Sequence, residues 1–329
     1  MAKDWKQLLL KSGLPFEYAV AEHFVKSGCL VWGEYQYSRP DETGKEKDFS
    51  YDIDANYWNG CSIDLMVECK YKTQPTKWFF LPDAYGYQNE ADPDGFFHVG
   101  DQFVHKKFQF ARGQLLDKKY LAPLCLKGVE IFENDYLETN IFKAINQLSY
   151  AFVDKLIGSF NEQLHTETFY DTAFVHVPVI VTNADLYLIN KRTTISQIEN
   201  ASDITEVAEK HPFLVFRNKA NGDLKRYNGK KLNDYFESID KQRAIQYLNY
   251  HFQFEQFLED MSELPGYILV MNHSESSNNY EILLNYIRQL IAEKHPEAIK
   301  RRSPPANYIT ELDNQLKEIL KRKGDQKNR

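Results

Sequence analysis

The stretch Ser62-Ile-Asp-Leu-Met-Val-Glu-Cys-Lys-Tyr-Lys72 decides the reading of this chain. Strand side chains alternate between faces, so Ile63, Leu65, Val67, Cys69 and Tyr71 share one face and Asp64, Met66, Glu68 and Lys70 the other. An acid and a base two residues apart on a largely apolar strand are costly to bury unless they serve something. Alone, E-x-K is a weak signal, because any exposed charged strand carries such a pair at little energetic consequence.

The preceding segment strengthens it. In Tyr51-Asp-Ile-Asp-Ala55, Asp52 and Asp54 fall on one face. Asn59-Gly60 is a strong two-residue hairpin signal that pairs Phe49–Trp58 antiparallel with Ser62–Lys72. An Asp and a Glu then converge beside one lysine. Two carboxylates with a carbonyl and waters form the hard-oxygen environment Mg²⁺ prefers, and the lysine can polarise water or balance a phosphate's charge. A third acid, Glu17, is followed by Val20, Ala21 and Phe24 at helical spacing and so sits on an apolar stripe, where a carboxylate needs a partner. The bland alternative is a helix-edge Glu that caps or salt-bridges.

Outward from this core, helical spacing runs over Asp4–Lys26 with Gly28 as its stop, and Cys29–Tyr37 reads as a strand. The charged segment 39–47 reads as a turn, and 73–138 as an insertion of mixed structure. A helix follows over Thr139–Leu164, then a buried strand Val175–Thr182 with Leu186–Asn190 beside it. Pro178 argues against a fully paired central position for that strand. The rest predicts strands at Pro212–Arg217 and Gly266–Asn272 and helices at Ile239–Glu263 and Tyr280–Lys294. The tail from Lys294 holds ten Lys/Arg against five Asp/Glu.

Composition bounds the function. The 329 residues are 43% hydrophobic with 14% aromatics, which excludes disorder as the main state, and a net charge of −7 excludes a globally cationic nucleic-acid coat protein. Four cysteines without a CxxC pair, together with no signal-peptide core and no bilayer-spanning run, give the expectation of a cytoplasmic protein that does not contact membrane. GxxxxGK[ST], GxGxxG, GxSxG and HExxH are all missing, which argues against an intrinsic ATPase, a dinucleotide enzyme, a serine hydrolase and a zincin.

Arranged this way, the N-terminal region resembles the PD-(D/E)XK nuclease superfamily, with its restriction endonuclease-like fold. The resemblance rests on Phe16-Glu17, Asp52-Ile-Asp54-Ala, Val67-Glu-Cys-Lys70 and Val-Pro-Val-Ile-Val-Thr-Asn-Ala184, over roughly residues 10–190. No Pro precedes either Asp, and the insertion is longer than a compact member needs. It implies an α/β core of helix, three-stranded meander, helix and strand in a domain spanning 1–195; the residue pattern, with no family reading, gives an α/β C-terminal extension over 196–329 with a basic helical tail.

The resemblance further implies an Mg²⁺-dependent deoxyribonuclease, an endonuclease by expectation, with Mn²⁺ able to substitute. Asp54 and Glu68 bind the metal, Asp52 being the runner-up for the first position. Lys70 activates water or stabilises the phosphate, and Glu17 is an accessory acid. Gln147, one helical turn before Tyr150, takes a substrate-binding place. Lys106, Lys107 and Arg112, interleaved with Phe103, Phe108 and Phe110, suit phosphate contact and base stacking. Lys300, Arg301 and Arg302, with Lys321, Arg322 and Lys323, are better electrostatic candidates, since the acidic body would not otherwise attract DNA. Nucleic acid, foremost DNA, is the expected partner, with RNA a weaker alternative and a homodimer or a defence or repair complex as the assembly. The rival reading is a catalytically silent nuclease-fold module that binds nucleic acid or a protein.

Overall fold

A computed structural model describes residues 5–40, 43–58, 62–82, 121–133, 135–165, 174–239 and 254–294. The fold is mixed α/β, built on an eleven-stranded mixed sheet with helices on both faces. No helix among the described residues is long and apolar enough to cross a membrane.

The N-terminal helical pattern forms two helices, α1 (Trp5–Lys11) and α2 (Leu14–Lys26), where one was expected. Gly13 between them adopts φ +82°, a left-handed conformation that glycine reaches without Cβ strain. Helix α2 buries Phe16, Val20 and Phe24 at four-residue spacing. It ends at Gly28, with φ +93°, whose N–H donates to Val25 O while Cys29 N–H donates to Phe24 O. This paired closure satisfies two of the carbonyls a helix end leaves unpaired.

The strand expected over Cys29–Tyr37 divides into β1 (Leu30–Trp32) and β2 (Tyr35–Pro40), which join different sheets. The next expected strand is likewise broken, by a bend at Asp52, into β3 (Glu46–Tyr51) and β4 (Ile53–Trp58). Strands β2 and β3 form a separate antiparallel pair, while β1 and β5 (Ser62–Lys70) flank β4 antiparallel in the main sheet. The alternation read from the sequence holds along β5. Ile63, Leu65, Val67 and Cys69 pack in the cluster with α2, and Met66 packs in the cluster on the opposite face.

Within 73–138, β6 (Lys77–Pro82), β7 (Leu124–Phe132) and β8 (Asp135–Leu137) belong to the main sheet. Helix α3 (Thr139–His165) then crosses over to β9 (Phe174–Thr182), which runs parallel to β5 and is buried along its whole length. Contrary to the expectation from Pro178, β9 is an interior strand. The proline is accommodated because pairing with the second neighbour begins only at Val179, one residue past it.

The chain continues through β10 (Asp185–Ile189), a short α4 (Ile195–Asn200), β11 (Ala208–His211) and β12 (Phe213–Arg217). Helix α5 (Gly222–Ser238) follows, a helix the sequence reading did not anticipate. Of the long helix expected over 239–263, the described part is α6 (Phe254–Ser262), before β13 (Tyr267–Asn272) and α7 (Asn279–Lys294). Strands β13 and β12 stand between β9 and β7, so the boundary drawn at residue 195 runs through a single sheet. Two cores result, one joining α2 and α7 to one face of the sheet and the other joining α3, α5 and α6 to the opposite face.

Candidate active site

Glu68 and Lys70 point from β5 toward α3, near the end of the strand. Glu68 is 1% exposed. Its Oε1 accepts a hydrogen bond from Lys70 Nζ, while Oε2 is buried with no hydrogen-bond partner. Burial, opposed by Lys70 and reinforced by the Asp52 charge, pushes the Glu68 carboxyl up to about 8. A buried carboxylate with an orphaned oxygen, raised this far, is short of positive charge.

Asp52 sits in the bend between β3 and β4, where its Oδ2 accepts the Cys69 N–H at 2.6 Å. That bond locks the bend to β5 one residue past Glu68. Burial raises the Asp52 carboxyl, against the lowering effects of the Cys69 N–H and Lys70. On the first turn of α2, Glu17 is raised by burial and then by Asp52, with Lys70 opposing. Glu34 adds repulsion to both Glu17 and Asp52 from the exposed rim, where it accepts from Ser50 and Gln36. Glu17, Asp52 and Glu68 thus all feel the ammonium of Lys70, and Glu34 adds repulsion to the first two.

Gln147 reaches this cluster from α3. Its Oε1 accepts from Lys70 Nζ at 3.3 Å, its Nε2 donates to Ser50 O at 3.0 Å, and its backbone carbonyl accepts from Tyr37 Oη at 3.0 Å. The Ser50 carbonyl takes only a donor, which fixes the amide with its oxygen toward the lysine. Tyr150 stands elsewhere: Arg39 lies 4.0 Å from its ring centroid, and the ring packs edge-on against Tyr227.

Asp54, the first choice for the metal position, is committed differently. Its Oδ2 pairs with Lys155 Nζ at 2.9 Å and its Oδ1 accepts from Tyr51 Oη at 2.8 Å. Lys155 belongs to a second buried network with Asp64, His176 and Ser159. His176 Nδ1 lies 3.0 Å from Asp64 Oδ2, and its Nε2 is 2.8 Å from Ser159 Oγ. Burial alone would raise the Asp64 carboxyl, but Lys155 and His176 hold it well below the usual carboxylate range. Burial would also lower the Lys155 ammonium, and Asp64 and Asp54 reverse that. This network ties β4, β5 and β9 to α3, and Asp54 is paired within it, whereas Asp52 is the aspartate whose charge acts on Glu68. Lys106, Lys107, Arg112 and the basic tail lie outside the described residues.

Among the described residues, no three His, Cys, Asp or Glu side chains converge as a ready metal cage. The donor set nonetheless fits Mg²⁺, which keeps several waters and takes one or two carboxylates. Asp52 and Glu68 would be those carboxylates, and Glu68 Oε2 is buried with no hydrogen-bond partner. Two participants escaped the sequence reading. Glu34 carried no signal in its surroundings, and the Lys155 pairing depends on contacts more than 90 residues apart in the chain. No family model, no curated protein and no solved structure matches this chain.

Proposed function

We propose that the chain is a metal-dependent nuclease that hydrolyses phosphodiester bonds, foremost in DNA, at the Asp52–Glu68–Lys70 cluster. The observation that carries this reading is the buried, unpartnered Glu68 Oε2 in a carboxyl pushed up to about 8 among neighbouring acids. The order α2, the antiparallel pair β4–β5, the crossover α3 and the parallel strand β9 supports a restriction endonuclease-like core at the centre of the sheet.

Asp52 and Glu68 would hold Mg²⁺, or Mn²⁺ in its place, and Glu17 would add negative charge from α2. When bound, the metal supplies positive charge to a phosphoryl oxygen and acidity to a water. Lys70 brings an ammonium to the same point, where it orients the attacking water or meets the charge developing on the phosphate. Gln147 acts through Lys70: with its amide fixed by Ser50, it holds the ammonium in one direction. This replaces the substrate-binding place given to Gln147 by the resemblance.

The test is cleavage of supercoiled, linear and single-stranded DNA with Mg²⁺ or Mn²⁺, beside a binding measurement. Lys70→Ala keeps both carboxylates, so metal and DNA still bind while cleavage falls by orders of magnitude. A wild type that binds these DNAs, cuts none with either metal and behaves like Lys70→Ala would instead be a silent binding module.

A further inference from the structure

Immediately after Lys70, Tyr71 and Lys72 line a polar cavity of about 240 Å³. Lys11, Tyr71, Lys72, Gln74, Glu130 and Phe132 are among its walls. Glu130 is 3% exposed and pairs through Oε2 with Lys72 Nζ at 2.5 Å, and the same oxygen accepts from Asn140 Nδ2 at 3.2 Å. The Lys72 backbone is held on both sides by Asn183, whose Oδ1 accepts the Lys72 N–H at 2.7 Å and whose Nδ2 donates to Lys72 O at 2.8 Å. The Lys72 ammonium also lies 5.8 Å from the Trp78 ring centroid. A nearly buried ion pair fixed this firmly in the wall of an open polar cavity is a built feature, and the Lys70 site does not use it.

We infer that this cavity receives one unstacked base of the nucleic-acid strand lying across Lys70, and that the base it selects is guanine. The inference rests on the nuclease reading of the Glu68 cluster. A carboxylate has about four lone-pair sites, of which Lys72 and Asn140 take two. Guanine offers two adjacent donors, N1–H and the 2-amino group, to the rest, and beside them the O6 acceptor to Lys72. Adenine offers one donor at that edge and thymine one. Tyr71 and Phe132 provide apolar walls for a flat ring, as in sites that read a base drawn out of its stack.

The experiment measures binding of short oligothymidylates carrying one central guanine, hypoxanthine, adenine or abasic site to the full chain in EDTA, by fluorescence anisotropy. Guanine should bind about tenfold more tightly than adenine or the abasic strand, with hypoxanthine between them because it lacks the 2-amino group. Glu130→Gln should abolish the preference. Gln74→Trp should do the same by filling the cavity from an exposed position that leaves the Lys72–Glu130 pair intact, with a melting temperature near wild type. Equal binding of all four strands, or a gain on 5′-phosphorylation without base preference, overturns the inference. If the wild type still cuts DNA with Mg²⁺, the nuclease reading survives that result. A wild type that neither binds nor cuts any strand overturns both.

Discussion

A divalent cation at Asp52 and Glu68 should expel a proton, and the amount follows from the site. With its carboxyl pushed up to about 8, Glu68 holds about 0.9 of a proton at pH 7. A cation against Oε2 favours the carboxylate and displaces that proton. Mg²⁺ binding should therefore release about 0.9 proton per ion at pH 7, about half a proton at pH 8 and almost none near pH 10. The apparent affinity should rise close to tenfold per pH unit up to pH 8 and then level off. The same shift acts on folding without metal. The folded state keeps a proton that the unfolded chain, with an ordinary carboxyl near 4.5, has lost, so stability declines as the pH rises from about 4.5 to about 8. At pH 7 the cost is about 3 kcal/mol, and Glu68→Gln removes it. Calorimetric Mg²⁺ titrations in two buffers of different protonation enthalpy give the released proton directly. Release close to zero at pH 7, or equal release from Glu68→Gln, would mean that Glu68 is not the group giving up the proton.

Lys155→Met leaves Asp54 and Asp64 without their shared cation and should cost about 3–5 kcal/mol in urea unfolding; a loss below 1 kcal/mol would mean the network is not coupled as drawn. Gln147→Leu should lower kcat for DNA cleavage about tenfold or more with KM little changed, since it frees the Lys70 ammonium without removing it. A change confined to KM would return Gln147 to the substrate. Gly28→Ala forces a Cβ into the left-handed closure of α2 and should cost about 1 kcal/mol, read as a lowered thermal midpoint.

The E-x-K strand was legible because period-two alternation is a local property, and the β5 faces are those its residues dictate. The antiparallel pairing of β5 with β4 is the one the sequence predicts. The choice between Asp52 and Asp54 was not legible. Both share a face in an unbroken strand, and only the bend at Asp52, held by the Cys69 N–H, separates their partners. Helix α5 escaped because its buried row reads Leu224, Asn228, Leu232 and Phe236, with an asparagine in the apolar stripe. Asn228 is tolerated there because its Nδ2 donates to the carbonyls of Ser262 and Leu264, contacts invisible to local pattern. The place of β12 and β13 between β9 and β7 rests on parallel pairings across long sequence separations, which periodicity does not encode.

The position of a bound metal decides between Asp52 and Asp54. Crystals of the full chain grown with Mn²⁺ and measured for its anomalous scattering locate that ion directly. One peak is expected, with Asp52 and Glu68 oxygens about 2.1 Å away, within reach of water beside Lys70, and it should be lost in Asp52→Asn while Asp54→Asn keeps it. A peak between Asp54 and Asp64, or no peak at Glu68 with Mn²⁺ in excess, would rule out a metal site at Asp52 and Glu68.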